Sequence, residues 1–262
     1  MNTHALGIFD SGIGGTSIWK EIQQLLPHEH CIYLADSKNA PYGEKSPEEI
    51  LQLSIKNTEY LLERKCKLIV VACNTATTNA IGYLRKNYAV PFIGIEPAIK
   101  PAALNSRSKK VGVLATKGTL SSSLFHSTAQ NHAGGITILE QQGTGLVELI
   151  EDGELNADAT RELLQVFLRP MLDKGIDHLV LGCTHYPYLI PLLKELLPEG
   201  VKIIDSGQAV ARQTKAVLEK QSLLNMSDAK AMHHFYSNSD TLMLQGFIAH
   251  VDVAKEVGFL DF

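Results

Sequence analysis

Cys73 and Cys183 stand in matching contexts. Leu68-Ile69-Val70-Val71-Ala72 leads into Cys73-Asn74-Thr75, and His178-Leu179-Val180-Leu181-Gly182 leads into Cys183-Thr184-His185. A short Val/Ile/Leu run of this kind reads as a strand buried on both faces, so each cysteine lies just past a strand's carboxyl end. Small polar residues follow, then a stretch with helical periodicity. That order predicts a thiol at a helix N-terminus, where the dipole and unpaired N–H groups favour a thiolate. A lone cysteine at a strand end is most often a packing residue. Two in the same setting, at the strand ends where open α/β sheets bind ligands, point to two acid/base groups of one site.

The same positional rule gathers further candidates. Phe9-Asp10-Ser11-Gly12-Ile13-Gly14-Gly15 follows the first apolar run, and its glycines permit a tight turn whose N–H groups can face an anion such as a carboxylate. Asp36 ends the second run, with Pro41-Tyr42-Gly43 in the loop beyond it. Thr116 and Thr119 place hydroxyls after the run ending at Ala115, and Glu151 and Asp152 fall in a stretch with a helical pattern. Taken singly, each of these is also what a surface turn or cap would carry. Dinucleotide binding competes for the glycine loop, since Asp36 stands about where a ribose-binding acid would. Against it, Thr16 and Ser17 occupy the places of the spacer and third glycine, and Asp10 would set a carboxylate beside a pyrophosphate. A zinc site from Cys73, Cys183 and His185 has suitable ligand types but no CxxC or HxxxH spacing to support it.

Apolar runs at 5–9, 31–35, 68–72, 92–95, 110–115, 136–139, 178–182 and 201–204 alternate with amphipathic stretches. This is the pattern of an α/β protein with mostly parallel sheets flanked by helices. Ser46-Pro47-Glu48-Glu49 has capping-box spacing with proline at the first helical position, and Gly175 stands where a C-cap glycine would end a helix over 158–174. A further strand over 231–236 and a helix over 241–250 complete the reading. The 262 residues are 45% apolar, enough for one large core or two smaller ones. The net charge of -4 has both signs interspersed, which argues against a nucleic-acid or membrane surface and for small-molecule chemistry. The first eleven residues lack a secretory pattern, and no apolar run approaches the roughly 18 residues of a membrane span. Four unevenly spaced cysteines do not form a disulfide framework. A cytosolic enzyme with free thiols is expected.

The motifs just quoted resemble those of the glutamate racemases, in the aspartate/glutamate racemase superfamily. Phe9 to Gly15, Ala35-Asp36 with Pro41-Tyr42-Gly43, Val71-Ala72-Cys73-Asn74-Thr75-Ala76 and Gly182-Cys183-Thr184-His185-Tyr186-Pro187 match that family's blocks in order and spacing. The match departs at Thr16-Ser17-Ile18-Trp19, with consequences expected for helix packing more than for chemistry. The resemblance implies two similar α/β domains, 1–96 with 207–262 and 97–206, with the substrate in the cleft between them. It implies no cofactor and no metal, a homodimer, and D-glutamate supplied for the bacterial cell wall.

Racemisation needs two such thiols for a reason independent of the family. One group removes the α-proton from one face of the α-carbon and another returns a proton to the opposite face. One thiol must therefore be protonated while the other is ionised, and a reference pKa of about 8.5 puts this within reach of small shifts. By resemblance, Cys73 takes the proton from D-glutamate and Cys183 from L-glutamate. Asp10 then serves Cys73, and His185 with Glu151 serves Cys183. Asp10, Ser11, Tyr42, Gly43, Asn74, Thr75, Thr116, Thr119, Thr184 and His185 bind the substrate, while Asp36 tunes Asp10 or Cys73. An aspartate or hydantoin racemase, a pyridoxal-phosphate racemase with a Schiff-base lysine, and a non-catalytic binding protein on the same fold are the alternatives.

Overall fold

The computed structural model describes residues 3–132 and 134–262, without the His132 side chain. Its strands, in chain order, are β1 (Leu6–Asp10), β2 (Cys31–Ala35), β3 (Leu68–Val71), β4 (Phe92–Gly94) and β5 (Lys110–Ala115). There follow β6 (Thr137–Gln142), β7 (His178–Gly182), β8 (Lys202–Ile204), β9 (Met232–Ser237) and β10 (Ala254–Phe259). They form two sheets, ordered β10-β9-β2-β1-β3-β4 and β6-β5-β7-β8, and every pairing is parallel. The chain divides accordingly into two compact units, Met1–Ile95 with Gly207–Phe262, and Glu96–Ser206.

In the first unit β1 and β3 are buried along their whole length, as expected of apolar strands covered on both faces. The first helices are α1 (Thr16–Leu25), α2 (Pro47–Glu63) and α3 (Asn74–Asn87). The capping box at the head of α2 forms as the sequence predicts: the Ser46 side chain accepts from the Glu49 backbone N–H, and the Glu49 carboxylate accepts from the Ser46 backbone N–H. On the α1 side of the sheet Trp19 meets His233 and Phe235 edge-on, with ring centroids 5.3 and 4.7 Å away. The second unit packs Ile99, Ala102, Val111, Val113, Ala115, Phe125 and Val180 into its core. Gly175, at a φ of 77°, follows the helix Asp158–Asp173 and takes the left-handed turn that glycine adopts without strain.

Each sheet has one place where strand order reverses. From β1 the chain steps to β2 on one side, then crosses to β3 on the other; from β5 it steps to β6, then crosses to β7. The reversal points lie between β1 and β3 and between β5 and β7, the positions at which parallel α/β sheets open a crevice beyond their carboxyl ends.

Three differences from the sequence reading have physical causes. β6 runs three residues beyond 139, to Gln142, and is half exposed, because it is an edge strand with a neighbour on one side only. β10 was not expected from the sequence: its Ala-Lys-Glu-Val-Gly-Phe run has no continuous apolar stretch because it too is an edge. Cys183 is not followed directly by an α-helix. A 3-10 turn, Tyr186–Leu189, comes first, and the helix Ile190–Leu196 begins only after it.

Candidate active site

At the β1/β3 reversal the loop after Asp10 is closed by the Asp10 side chain. Its Oδ2 accepts from the N–H of Gly15 at 2.9 Å and of Gly12 at 3.2 Å, and the residue is fully buried. Tyr33 donates its hydroxyl to the Gly12 carbonyl at 2.8 Å. A Cβ at position 15 would lie 2.7 Å from the Asp10 Cβ, 2.8 Å from the Tyr33 hydroxyl and 3.0 Å from the Ala72 Cβ. Glycine is thus required there by close approach of neighbouring chain.

Cys73 is the N-cap of α3. Its Sγ accepts from the Ala76 N–H at 3.4 Å and lies 3.7 Å from Ser11 Oγ. The sulfur therefore sits on the positive end of a fourteen-residue helix, a setting that stabilises a thiolate. Asn74 and Thr75, the next two residues, are each 3% exposed. Neither the nitrogen nor the oxygen of the Asn74 carboxamide has a hydrogen-bond partner among the described residues. A buried amide left unpaired is costly, which marks Asn74 as a group with hydrogen-bonding capacity for a ligand.

Tyr42 and Gly43 lie in a buried 3-10 turn, Tyr42–Glu44. The Tyr42 hydroxyl donates to Asp36 Oδ2 in a very short bond and accepts from Asn57 Nδ2 at 3.2 Å. Asp36 Oδ1 accepts from Asn39 Nδ2 at 2.7 Å and from Asn238 Nδ2 at 2.5 Å. Burial, followed by the Asp36 charge and hydrogen bond and by Cys73, raises the Tyr42 phenol well above its ordinary value. Asp36 thus acts on the loop through Tyr42. Asn57 and Asn238 were not anticipated, and no local signal marks them, since each is remote in sequence from the residue it holds.

At the β5/β7 reversal, β5 and β7 approach closely. A Cβ at Gly182 would come within 2.6 Å of the Ala115 Cβ. Thr116 caps the short helix Lys117–Leu120, its Oγ1 accepting from the Thr119 N–H at 3.3 Å and donating to Thr119 Oγ1 at 3.0 Å. Thr184 is 2% exposed. Cys183 Sγ lies 3.7 Å from His185 Nδ1, and His185 Nε2 lies 2.5 Å from Glu151 Oε1. Glu151 is the last residue of the helix Leu146–Glu151. Burial alone would lower the His185 pKa, but hydrogen bonds and charge from Cys183 and Glu151 prevail and hold it well above the ordinary value. The imidazole can therefore carry a proton against a thiolate on one side while a carboxylate orients it from the other. Both ring nitrogens are committed, so His185 is not disposed as a zinc ligand.

Tyr186 supports this half from below. It is fully buried, its hydroxyl donates to the Gly143 carbonyl at 3.1 Å, and burial together with Cys183 raises its pKa. A Cβ at Gly143 would fall 2.3 Å from that hydroxyl. Gly143 was missed in the sequence because it follows an edge strand without motif context.

A cysteine at each reversal point, one of them backed by an imidazole and a carboxylate, defines an α/β enzyme equipped for acid/base or nucleophilic chemistry at sulfur. The Asp/Glu/Hydantoin racemase family matches residues 13–214, and the chain belongs to that family. It is 48% identical over 244 residues to the glutamate racemase of Ectopseudomonas mendocina, covering 93% of this chain and 92% of the relative. Among solved structures, a glutamate racemase isoform from Bacillus anthracis is similar with a TM-score of 0.89, at 27% identity over 100% of this chain and 99% of the other. The glutamate racemase of Escherichia coli, solved with L-glutamate and the activator UDP-MurNAc-ala, has a TM-score of 0.86 at 36% identity, covering 98% of each chain.

Proposed function

We propose that this protein interconverts L- and D-glutamate without a cofactor, Cys73 and Cys183 serving as the two bases. The observation that carries the reading is the placement of one thiol at the strand-order reversal of each sheet, Cys73 after β3 and Cys183 after β7. The glutamate assignment is supported by relatives of that activity that match over nearly the whole chain.

In the L-to-D direction the Cys183 thiolate takes the α-proton, and the electron pair of the C–H bond passes to the α-carbon and its carboxylate. The Cys73 thiol then gives its proton to the opposite face, and its S–H electrons remain as thiolate. In the reverse direction the roles exchange. His185 and Glu151 stabilise the ionised Cys183. Asp10 holds the loop that flanks Cys73 and assists that thiol. Ser11, Tyr42, Gly43, Asn74, Thr75, Thr116, Thr119 and Thr184 supply hydrogen bonds to the substrate's carboxylates and amino group, which lower the cost of negative charge at the α-carbon. The expected setting is the bacterial cytosol, as a homodimer that provides D-glutamate for peptidoglycan; no helix among the described residues is long and apolar enough to cross a membrane.

The test is incubation of the purified protein with L-glutamate in deuterated water without added cofactor. Deuterium at the α-carbon of the D-glutamate formed is the expected result. Absence of D-glutamate, or D-glutamate with its original α-proton, overturns the reading.

A further inference from the structure

β3 and β4 run side by side with Ile69 opposite Phe92 and Val71 opposite Gly94. Ile69 joins that ladder through its N–H, which donates to the Pro91 carbonyl at 3.0 Å. Val71, two residues on, faces the same neighbour, and in a regular parallel ladder its carbonyl accepts from the residue after its partner, Ile95. The last rung is built differently. The Ile95 N–H donates to Thr77 Oγ1 at 3.0 Å, and that hydroxyl donates in turn to the Val71 carbonyl at 3.1 Å. A side-chain hydroxyl from α3 is thus inserted between the two strands where they end.

A helical threonine commonly turns its hydroxyl back to the carbonyl four residues earlier, which here is that of Cys73. Thr77 leaves that carbonyl to its own backbone N–H, at 2.8 Å, and sends the hydroxyl beyond the helix to Val71. One residue therefore holds the chain on both sides of Ala72: at Val71, the last residue of β3, and at Cys73, the cap of α3. Thr77 is 1% exposed, so bulk water does not compete for either bond. Its methyl is fitted as closely, since a Cβ at Gly94 would fall 2.6 Å from Thr77 Cγ2. Glycine at 94 lets the threonine lie across the rung.

We propose that Thr77 is a positioning residue for Cys73, its inserted hydroxyl fixing the angle at which the chain turns from β3 into α3 and hence the place of the thiol at the head of that helix. The role rests on the two-base reading of Cys73. Thr77 acts through the Val71 and Cys73 carbonyls, and so on the contacts of Sγ with the Ala76 N–H and Ser11 Oγ. Without the hydroxyl, the Ile95 N–H and the Val71 carbonyl must close on each other, which draws the ends of β3 and β4 together and tilts α3, or stay buried and unpaired at a cost.

The Cys73 thiolate is titrated by its ultraviolet absorbance in the full-length Cys183→Ala protein, with the variant lacking both cysteines as the blank. Burial keeps the Cys31 and Cys66 thiols far above the ordinary range, so they do not interfere. Thr77→Val, which keeps the shape of the side chain but not the hydroxyl, is expected to raise the thiolate midpoint by about half a pH unit as Sγ shifts from the helix end. With both cysteines present, it is expected to lower kcat/KM roughly tenfold from either enantiomer, as a displacement of a fraction of an ångström at a reacting atom implies. Thr77→Ser returns the hydroxyl and should restore both values. An unchanged thiolate midpoint in Thr77→Val overturns the proposal, as does a Thr77→Ser variant as impaired as Thr77→Val. Should Thr77→Val not fold, Gly94→Ala, which forces the threonine methyl aside, takes its place, with the same shift expected and an unchanged midpoint again overturning. Wild-type protein that does not racemise glutamate defeats the two-base reading, while the thiolate titration still decides whether Thr77 sets Cys73.

Discussion

Cys73 and Cys183 occupy the same topological station in two different sheets, yet their surroundings have little in common. Cys73 is set by fixed groups: the N-terminus of a long helix, the Ala76 N–H and the Ser11 hydroxyl. Cys183 has no α-helix starting at it and relies on a titratable partner, His185, which is oriented by Glu151. A helix end stabilises negative charge at every pH, whereas an imidazole does so only while protonated. One half is therefore constant and the other adjustable, and the two should respond differently to the same perturbation.

The largest effect expected is from removing either thiol. Cys73→Ala and Cys183→Ala should each lower racemisation by roughly 10³-fold or more in both directions, measured by polarimetry, with the circular dichroism spectrum unchanged. Near-normal turnover by either variant would break the comparison at its root. Next comes the adjustable half: Glu151→Gln should reduce kcat/KM about 10²-fold, equally from both enantiomers, because Cys183 is base in one direction and acid in the other through the same transition state. Near-normal turnover by Glu151→Gln would mean that Glu151 does not act through Cys183.

The pH dependence sharpens the contrast. His185 is raised above its unfolded value of about 6.5, so its contribution to stability is complete below that value and is lost as pH rises through the folded pKa. Urea unfolding of the wild type and of His185→Asn should therefore show a stability gap that is widest near pH 6 and narrows towards alkaline pH; a gap independent of pH would count against a protonated His185. A smaller effect is expected on the constant half from Tyr42→Phe, which leaves a buried Asp36 oxygen short of a donor and should cost about 1–3 kcal/mol of stability, read from the urea midpoint. Tyr186→Phe, losing one neutral hydrogen bond to Gly143, should cost only about 1 kcal/mol by the same measurement.

What could be read from the sequence follows the local rules. Leu68 to Val71 and His178 to Leu181 announce buried strands because both of their faces are covered, and Ser46 with Glu49 announces a helix start because a capping box is complete within four residues. The proximity of His185 to Cys183 was also legible, being two residues away. Its link to Glu151, 34 residues upstream, came only from resemblance, since no periodicity connects the end of one helix to the loop after another strand. Asn57 and Asn238 carry no local signal for the same reason, and β10 escaped because an edge strand need not be apolar.

The discontinuity of the first unit bears on how the protein is made. Glu96–Ser206 is contiguous and can close on itself as soon as it emerges from the ribosome. The first sheet cannot, because β2 receives its outer neighbour β9 only some two hundred residues after it is synthesised. Until then β2 presents an open hydrogen-bonding edge and Trp19 lacks His233 and Phe235. The nascent chain thus leaves the β2 edge and the Trp19 ring uncovered for most of translation, and the indole of Trp19 should change its emission only when the last strands have docked.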